Sequence, residues 1–135
     1  MNKAINPKGI VLHCSDSPHG RGDNAQTIHE WHCARGWDGI GYHFVILEDG
    51  KIEAGRPTYW RGSHAKGHNN KIGICMIGKN DFTFNQFTSQ ALLVEKLMKE
   101  FDIPMHAVIG HSTFSDKTCP NYDVEDFKAK YMDAE

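Results

Sequence analysis

The 135-residue sequence predicts one α/β domain, in which a central mixed β-sheet is flanked by two to three α-helices. Two observations predict this class. Short apolar runs typical of strands alternate with segments of helical periodicity, and no repeat, linker or low-complexity segment divides the chain. We therefore expect a single domain over residues 1–135, with a core at about residues 9–131 and a short arm at residues 1–8.

The first half of the chain predicts three strands and one helix. Residues 9–14 form an apolar run, and residues 15–23 are rich in Ser, Pro, Gly and Asp, as loops are. Asn24 is a suitable cap for a helix over residues 25–35, which ends at Gly36. Residues 41–47 predict a strand, and Asp49 followed by Gly50 predicts a hairpin turn into residues 51–54.

The second half predicts two strands and two helices after an irregular segment. Residues 55–70 have no periodicity, and such long segments inside compact domains are usually functional. Residues 72–77 form the continuous apolar run of a buried central strand. We expect a helix over residues 89–101 capped by Thr88, a strand over residues 107–109 and a last helix capped by Asp123. Helical spacing also predicts which side chains of the two helices face the core. They are Leu93, Val94, Leu97, Met98, Phe101, Val124, Phe127 and Tyr131.

Charge and composition exclude several function classes. The net charge of −2 argues against a strong electrostatic footprint for nucleic acid or an acidic membrane. Residues 1–9 lack the apolar stretch of a signal peptide, and no later run approaches transmembrane length. We therefore expect a chain that is made in the cytoplasm, with thiols or metal ligands rather than disulfides. We also expect a monomer, although nothing in the sequence specifies the oligomeric state.

Nine histidines direct attention to metal and acid–base chemistry, and three residues stand out. His13 closes the first strand, His111 follows the strand at residues 107–109, and Cys119 lies in a loop that could fold back on His111. Two imidazoles and a thiolate suit zinc, and three protein ligands leave a fourth position for water. Spacing alone leaves the alternative open that a core thiol lies beside a surface imidazole.

Five ordered motifs surround these residues, namely VLHCS (11–15), GYHF (41–44), GSHAKG (62–67), IGICMIG (72–78) and GH followed by KTCP (110–120). Together they resemble zinc amidases of the N-acetylmuramoyl-L-alanine amidase type, the fold shared with peptidoglycan recognition proteins. Within that family the likeness is to the amidase-type lysozymes (endolysins) of short-tailed coliphages. The resemblance covers about residues 9–131.

The resemblance implies a function and a set of site residues. The substrate would be peptidoglycan, cut at the amide between the lactyl group of N-acetylmuramic acid and L-alanine. One zinc ion per chain would be held by His13, His111 and Cys119, with Tyr42 and Lys117 as the other catalytic groups. A match to a pocket residue of the family suggests substrate binding by His64, and we extend this expectation to Ala65 and Asn70.

The residues themselves support two of these roles. Lys117 lies two positions before Cys119, so its ammonium could reach the charge that develops on the amide oxygen. Tyr42 could orient the water, take its proton or donate to that oxygen, and the sequence does not choose among these roles. We expect Tyr42 rather than His43 to face the metal, because adjacent residues of a strand point to opposite faces.

Three other functions remain as alternatives. The chain could be a cytoplasmic amidase that recycles muropeptides, although such enzymes are typically longer. It could be a peptidoglycan-binding module without activity, but such modules usually lack the thiolate ligand that Cys119 provides. The resemblance also raises inhibition of a phage RNA polymerase, as a second activity beside hydrolysis, for which residues 1–8 give no support. For an endolysin, we expect production in the host cytoplasm and action on the periplasmic wall after release.

Two further histidines and three further cysteines are expected to have structural rather than metal-binding roles. His29 and His32 imitate a metalloprotease motif, but they are three residues apart where that motif needs four. We expect His29 to be exposed and His32 to pack against the core. We expect Cys14, Cys33 and Cys75 to be small core residues, with Cys14 pointing away from His13.

Overall fold

One mixed sheet organises the part of the chain that the computed structural model describes, residues 6–113 and 118–132. Its strands are β1 (Ile10–Cys14), β2 (Phe44–Ile46), β3 (Ile52–Ala54), β4 (Ile72–Met76) and β5 (Val108–Gly110). They lie in the order β3-β2-β4-β1-β5, and only the β2–β3 hairpin is antiparallel. The expected α/β class with a mixed sheet is confirmed.

Three α-helices accompany the sheet in the described ranges: α1 (Ala25–Ala34), α2 (Phe84–Phe101) and α3 (Val124–Tyr131). Short 3-10 helices at Met105–Ala107 and His111–Thr113 flank β5. The caps predicted at Asn24 and Asp123 are confirmed, since both side chains accept hydrogen bonds from backbone N–H groups of the first helical turn.

Helix α2 begins five residues before the predicted start, so the assignment of Thr88 as its cap was wrong. The cap is Thr83, whose Oγ1 accepts from the Gln86 N–H while the Gln86 side chain accepts from the Thr83 N–H. The first turn was missed because it contains the polar residues Asn85 and Gln86 and because Thr88 is also a suitable cap. Gln86 is nonetheless buried, since its Nε2 donates to the Ile77 carbonyl at 2.8 Å.

Two apolar layers cover the two faces of the sheet. The larger layer packs α2 and α3 on one face, and its helical members Leu93, Val94, Leu97 and Phe127 are buried as predicted. The smaller layer joins Ile28 of α1 to Val45, Cys75 and Ile77. His13 pairs with Cys75 in the register of β1 and β4, so its side chain lies on the α1 face.

No helix within the described ranges is long and apolar enough to cross a membrane.

Candidate metal centre

Parallel strand pairing brings His13 and His111 together. β1 and β5 are neighbours in register, with Leu12 opposite Gly110, so the next residues along the two strands are the two histidines. Their ring centroids are 4.7 Å apart. Carboxyl ends of parallel strands meet at one edge of a sheet, which is the usual place for a site in α/β folds.

Cys119 reaches this edge because its loop folds back over Gly110. A Cβ at Gly110 would lie 2.9 Å from Val124 Cγ2 and 3.0 Å from Pro120 Cδ, so only glycine leaves room for the returning chain. The Ser112 N–H donates to the Cys119 carbonyl at 2.8 Å. The Cys14 N–H donates to Cys119 Sγ at 3.0 Å, which aims the sulfur at the histidines.

His13, His111 and Cys119 offer ligand atoms that all lie within 4.8 Å of one another. Nδ1 of His13 lies 4.0 Å from Cys119 Sγ. Two nitrogens and one sulfur are the donors that zinc prefers, and a tetrahedral site of three protein ligands keeps one position open. The residues therefore form a group that could hold a metal ion.

The surroundings of Cys119 favour the neutral thiol over the thiolate. Its side-chain hydrogen bond with Cys14 and its burial raise the pKa of Cys119 above the ordinary value for a thiol. A metal ion that binds here must therefore displace a proton. The 3.0 Å hydrogen bond from the Cys14 N–H then stabilises the thiolate.

Tyr42 lies beside the metal group, with its ring centroid 5.0 Å from that of His13. The preceding segment is held by α1, because the Gly41 N–H donates to His32 Nδ1 at 2.9 Å, and by Arg56, whose Nε donates to the Ile40 carbonyl at 3.0 Å. Burial raises the pKa of Tyr42 well above its ordinary value. The phenol is therefore neutral at pH 7 and has a proton to donate.

His43 has a structural role, because both of its ring nitrogens make hydrogen bonds within the protein. Its Nε2 donates to the Trp60 carbonyl at 2.8 Å, and its Nδ1 accepts from the Gly73 N–H at 3.0 Å. Its ring centroid lies 5.8 Å from that of His64. Both nitrogens of His43 are thus used to join the irregular segment to β4, whereas Tyr42 faces the metal group.

The three residues expected to bind substrate occupy different environments. His64 is partly buried, and its two ring nitrogens contact His13 Nε2 at 2.9 Å and the Lys71 carbonyl at 2.8 Å. Ala65 is buried, and its N–H donates to Asn69 Oδ1 at 2.8 Å. Asn70 is exposed. Substrate contact by these residues stays a prediction.

Lys117, the second predicted catalytic group, lies outside the described residues. Its neighbours in the described part, Thr118 and Cys119, line the cleft at the metal group.

The cleft at the metal group has a volume of about 650 Å³ and a polar lining. Besides His111, Cys119 and Tyr42, it is lined by Trp31, Arg21 and Arg35. These three residues were not predicted as part of the site, although Trp31 and Arg35 are four residues apart and so share one face of α1. A larger groove of about 890 Å³ lies between α2 and α3, and neither histidine nor cysteine is among the described residues that line it.

Two expectations for individual residues were wrong. His29 is partly buried, because its Nδ1 accepts from the Ile40 N–H at 3.1 Å. Cys33 is exposed, since it lies on the solvent side of α1. Cys14 is buried and pairs with Met76 of the larger layer, so alternation places its side chain on the face opposite to that of His13, as expected. Its thiol accepts from Asn121 Nδ2 at 3.5 Å, and Cys14 is among the residues that line the cleft. The burial of His32 and Cys75 is confirmed.

Comparison with known proteins assigns the chain to a family. A model of the N-acetylmuramoyl-L-alanine amidase family matches residues 3–122, and the chain belongs to that family. It is similar to the endolysin of Escherichia phage T7, with 38% identity over 126 residues that cover 86% of this chain and 82% of the endolysin. The endolysin of Enterobacteria phage T3 is also 38% identical to this chain, over 127 residues that cover 87% of this chain and 83% of that endolysin.

Solved structures give the same result. The chain is similar to the endolysin N-acetylmuramoyl-L-alanine amidase LysCS from Clostridium intestinale URNW, with a TM-score of 0.84 and 38% identity over 93% of this chain and 84% of that one. The Drosophila peptidoglycan recognition protein SD has a TM-score of 0.77 at 20% identity, over 89% of this chain and 79% of that one, which supports the fold alone.

Proposed function

We propose that this chain is a phage endolysin that hydrolyses the amide between the lactyl group of N-acetylmuramic acid and L-alanine, with one zinc ion held by His13, His111 and Cys119. The observation that carries the proposal is the convergence of these three ligands, within 4.8 Å, at the edge of a cleft in a chain of the amidase family. We also propose that the whole chain acts as a single amidase domain.

Bound zinc would supply Lewis-acid chemistry, by polarising the amide carbonyl and lowering the pKa of water toward about 7. The side chains around the cleft would orient the attacking water and stabilise the charge that develops on the amide oxygen. Tyr42 enters with its phenol protonated, so it would orient the attacking water or donate to the oxygen that gains negative charge. In the metal-free protein, the raised pKa of Tyr42 disfavours the third role, in which the phenol takes the proton of the water.

Lys117 would supply a positive charge to the same developing oxyanion. It precedes Cys119 by two residues, and an extended dipeptide spans about 7 Å, which its own side chain can bridge. A preorganised donor of this kind typically contributes 10²–10³ in rate, about 2.7–4 kcal/mol. Tyr42 and Lys117 would then approach the scissile amide from two different loops.

The cleft also has features that suit a peptide carrying carboxylates. Arg21 and Arg35 bring two guanidinium groups, and Trp31 brings an aromatic surface. The Arg21 side chain is already paired with Asp23 at 2.9 Å, whereas the Arg35 guanidinium lies 5.5 Å from the centre of the Trp37 ring. Arg35 is therefore the better candidate to contact an acidic group of the stem peptide.

Metal analysis and a peptidoglycan digest test the proposal together. We expect about one zinc per purified chain, release of free stem peptides by mass spectrometry, loss of activity on chelation and recovery with zinc. Binding of peptidoglycan without cleavage would contradict the proposal and favour a recognition module. Cleavage of soluble anhydro-muropeptides without digestion of intact sacculi would favour a recycling amidase instead.

In a phage infection, such an enzyme would be made in the host cytoplasm and would reach the periplasmic wall after the membrane is opened. Release of peptidoglycan fragments only after the host membrane is permeabilised would support this order of events.

A further inference from the structure

A chain of hydrogen bonds runs behind the metal group through His64. The nitrogen of His13 that faces away from Cys119 is Nε2, and it lies 2.9 Å from His64 Nδ1. The other nitrogen of His64, Nε2, lies 2.8 Å from the Lys71 carbonyl oxygen. One imidazole thus stands between a metal ligand and a backbone carbonyl.

The direction of each bond follows from the carbonyl at its end. A carbonyl oxygen only accepts, so His64 Nε2 must carry the proton. A neutral imidazole has one N–H group and one lone pair, so His64 Nδ1 accepts, and His13 Nε2 must donate to it. The proton of His13 is thereby held on Nε2, and its lone pair is on Nδ1, the atom on the Cys119 side.

The irregular segment and β4 are shaped to hold the His64 ring in this place. A Cβ at Gly62 would lie 2.5 Å from His64 Cδ2, and a Cβ at Gly73 would lie 2.6 Å from both His64 Cδ2 and Cγ. Both distances are too short for a real side chain, so two glycines make the space for this ring. The backbone of His64 is fixed as well, since its N–H donates to Asn69 Oδ1 at 2.7 Å.

We propose that His64 is a positioning residue that fixes the tautomer and orientation of His13, so that Nδ1 of His13 is presented to the metal. The role presupposes the proposed zinc site, and it differs from the substrate contact expected from the sequence. Outer hydrogen bonds of this kind to a ligating histidine typically change metal affinity by 10–100-fold.

Zinc affinity, measured with zinc alone against a competing chromophoric chelator, tests the role without any substrate. His64→Leu removes the acceptor and should weaken zinc binding by about 10–100-fold. His64→Asn should retain affinity within a few-fold, because its Oδ1 can replace the accepting Nδ1. His68→Asn is the matched control, since it removes an imidazole of the same segment that contacts Lys71 Nζ rather than the metal group. Equal affinity of His64→Leu and the wild type would overturn the proposal.

Nitrogen NMR of the zinc-free wild-type protein gives a second test that does not depend on a variant folding. We expect the N–H of both His13 and His64 on Nε2, and after addition of zinc we expect the metal on Nδ1 of His13. A His13 proton on Nδ1 in the zinc-free protein would overturn the inference. The zinc-free measurement is informative even if the wild type proves to bind no zinc, in which case the proposed function fails separately.

Discussion

The backbone N–H of Cys14 donates a hydrogen bond to Cys119 Sγ at 3.0 Å, across 105 residues of sequence. The bond joins the end of β1, which supplies His13, to the loop that supplies Cys119. Because an N–H donor stabilises a thiolate more than a thiol, this contact favours the form of Cys119 that binds a metal. Cys14, the last residue of β1, therefore stabilises the metal-binding form of Cys119.

Replacement of Cys119 should remove zinc and activity together. In Cys119→Ser a neutral hydroxyl takes the place of the thiolate, so we expect zinc affinity to fall by more than the 10–100-fold typical of a lost outer hydrogen bond. Metal content and peptidoglycan digestion are the measurements. Cys33→Ser, which changes an exposed thiol, is the control and should behave like the wild type. Full activity of Cys119→Ser would mean that the site is misplaced.

Removal of the Tyr42 hydroxyl should slow turnover and leave the metal in place. Tyr42→Phe keeps the ring beside His13 but deletes the donor, so we expect kcat to fall by about 10²–10³ with unchanged zinc affinity. Tyr59→Phe serves as a control because Tyr59 is exposed and does not line the cleft. An unchanged kcat in Tyr42→Phe would exclude the proposed donor role.

Lys117→Ala should lower kcat by a similar factor while zinc stays bound, because the lysine is proposed to stabilise charge rather than to hold the metal. Steady-state kinetics and zinc analysis of the same preparation distinguish these two roles. Lys51→Ala, at an exposed position of the β2–β3 hairpin, is the comparison variant. Loss of zinc from Lys117→Ala would show that the lysine supports the structure of the metal loop instead.

Acid should destabilise the fold partly through His32. Burial lowers the pKa of His32 from 6.5 to about 4, while its Nδ1 accepts from the Gly41 N–H. The unfolded state therefore binds the proton first, so this contribution to stability is complete above pH 6.5 and is lost as the pH falls toward 4. The shift corresponds to a few kcal/mol at most in the free energy of unfolding.

Denaturant unfolding of the chelator-treated protein between pH 4 and 7 measures this effect. His32→Asn keeps an acceptor for Gly41 but does not titrate, so its stability should vary less steeply with pH. Identical slopes for the variant and the wild type would show that other groups, such as buried His43, carry the whole dependence.

Local patterns in the sequence were sufficient for most elements of the fold. The apolar run at β4, the caps Asn24 and Asp123 and the stripe of α2 are features of neighbouring residues, and the structure agrees with them. The first turn of α2 was missed because Thr88 can also cap a helix, and the sequence pattern does not distinguish it from Thr83, the observed cap. Cys33 and His29 were misassigned because one helix of modest amphipathicity does not reveal which of its sides is covered.

The sequence by itself determined the ligand types, their order along the chain and the family of the protein, because these are properties of the residues and their motifs. Only the tertiary structure decided which atoms meet. Parallel pairing of β1 with β5 sets His13 beside His111, and the glycine spaces at Gly62 and Gly73 let His64 reach His13 from 51 residues away. Such contacts depend on strand order and on space between backbones, and no local pattern of residues encodes either of them.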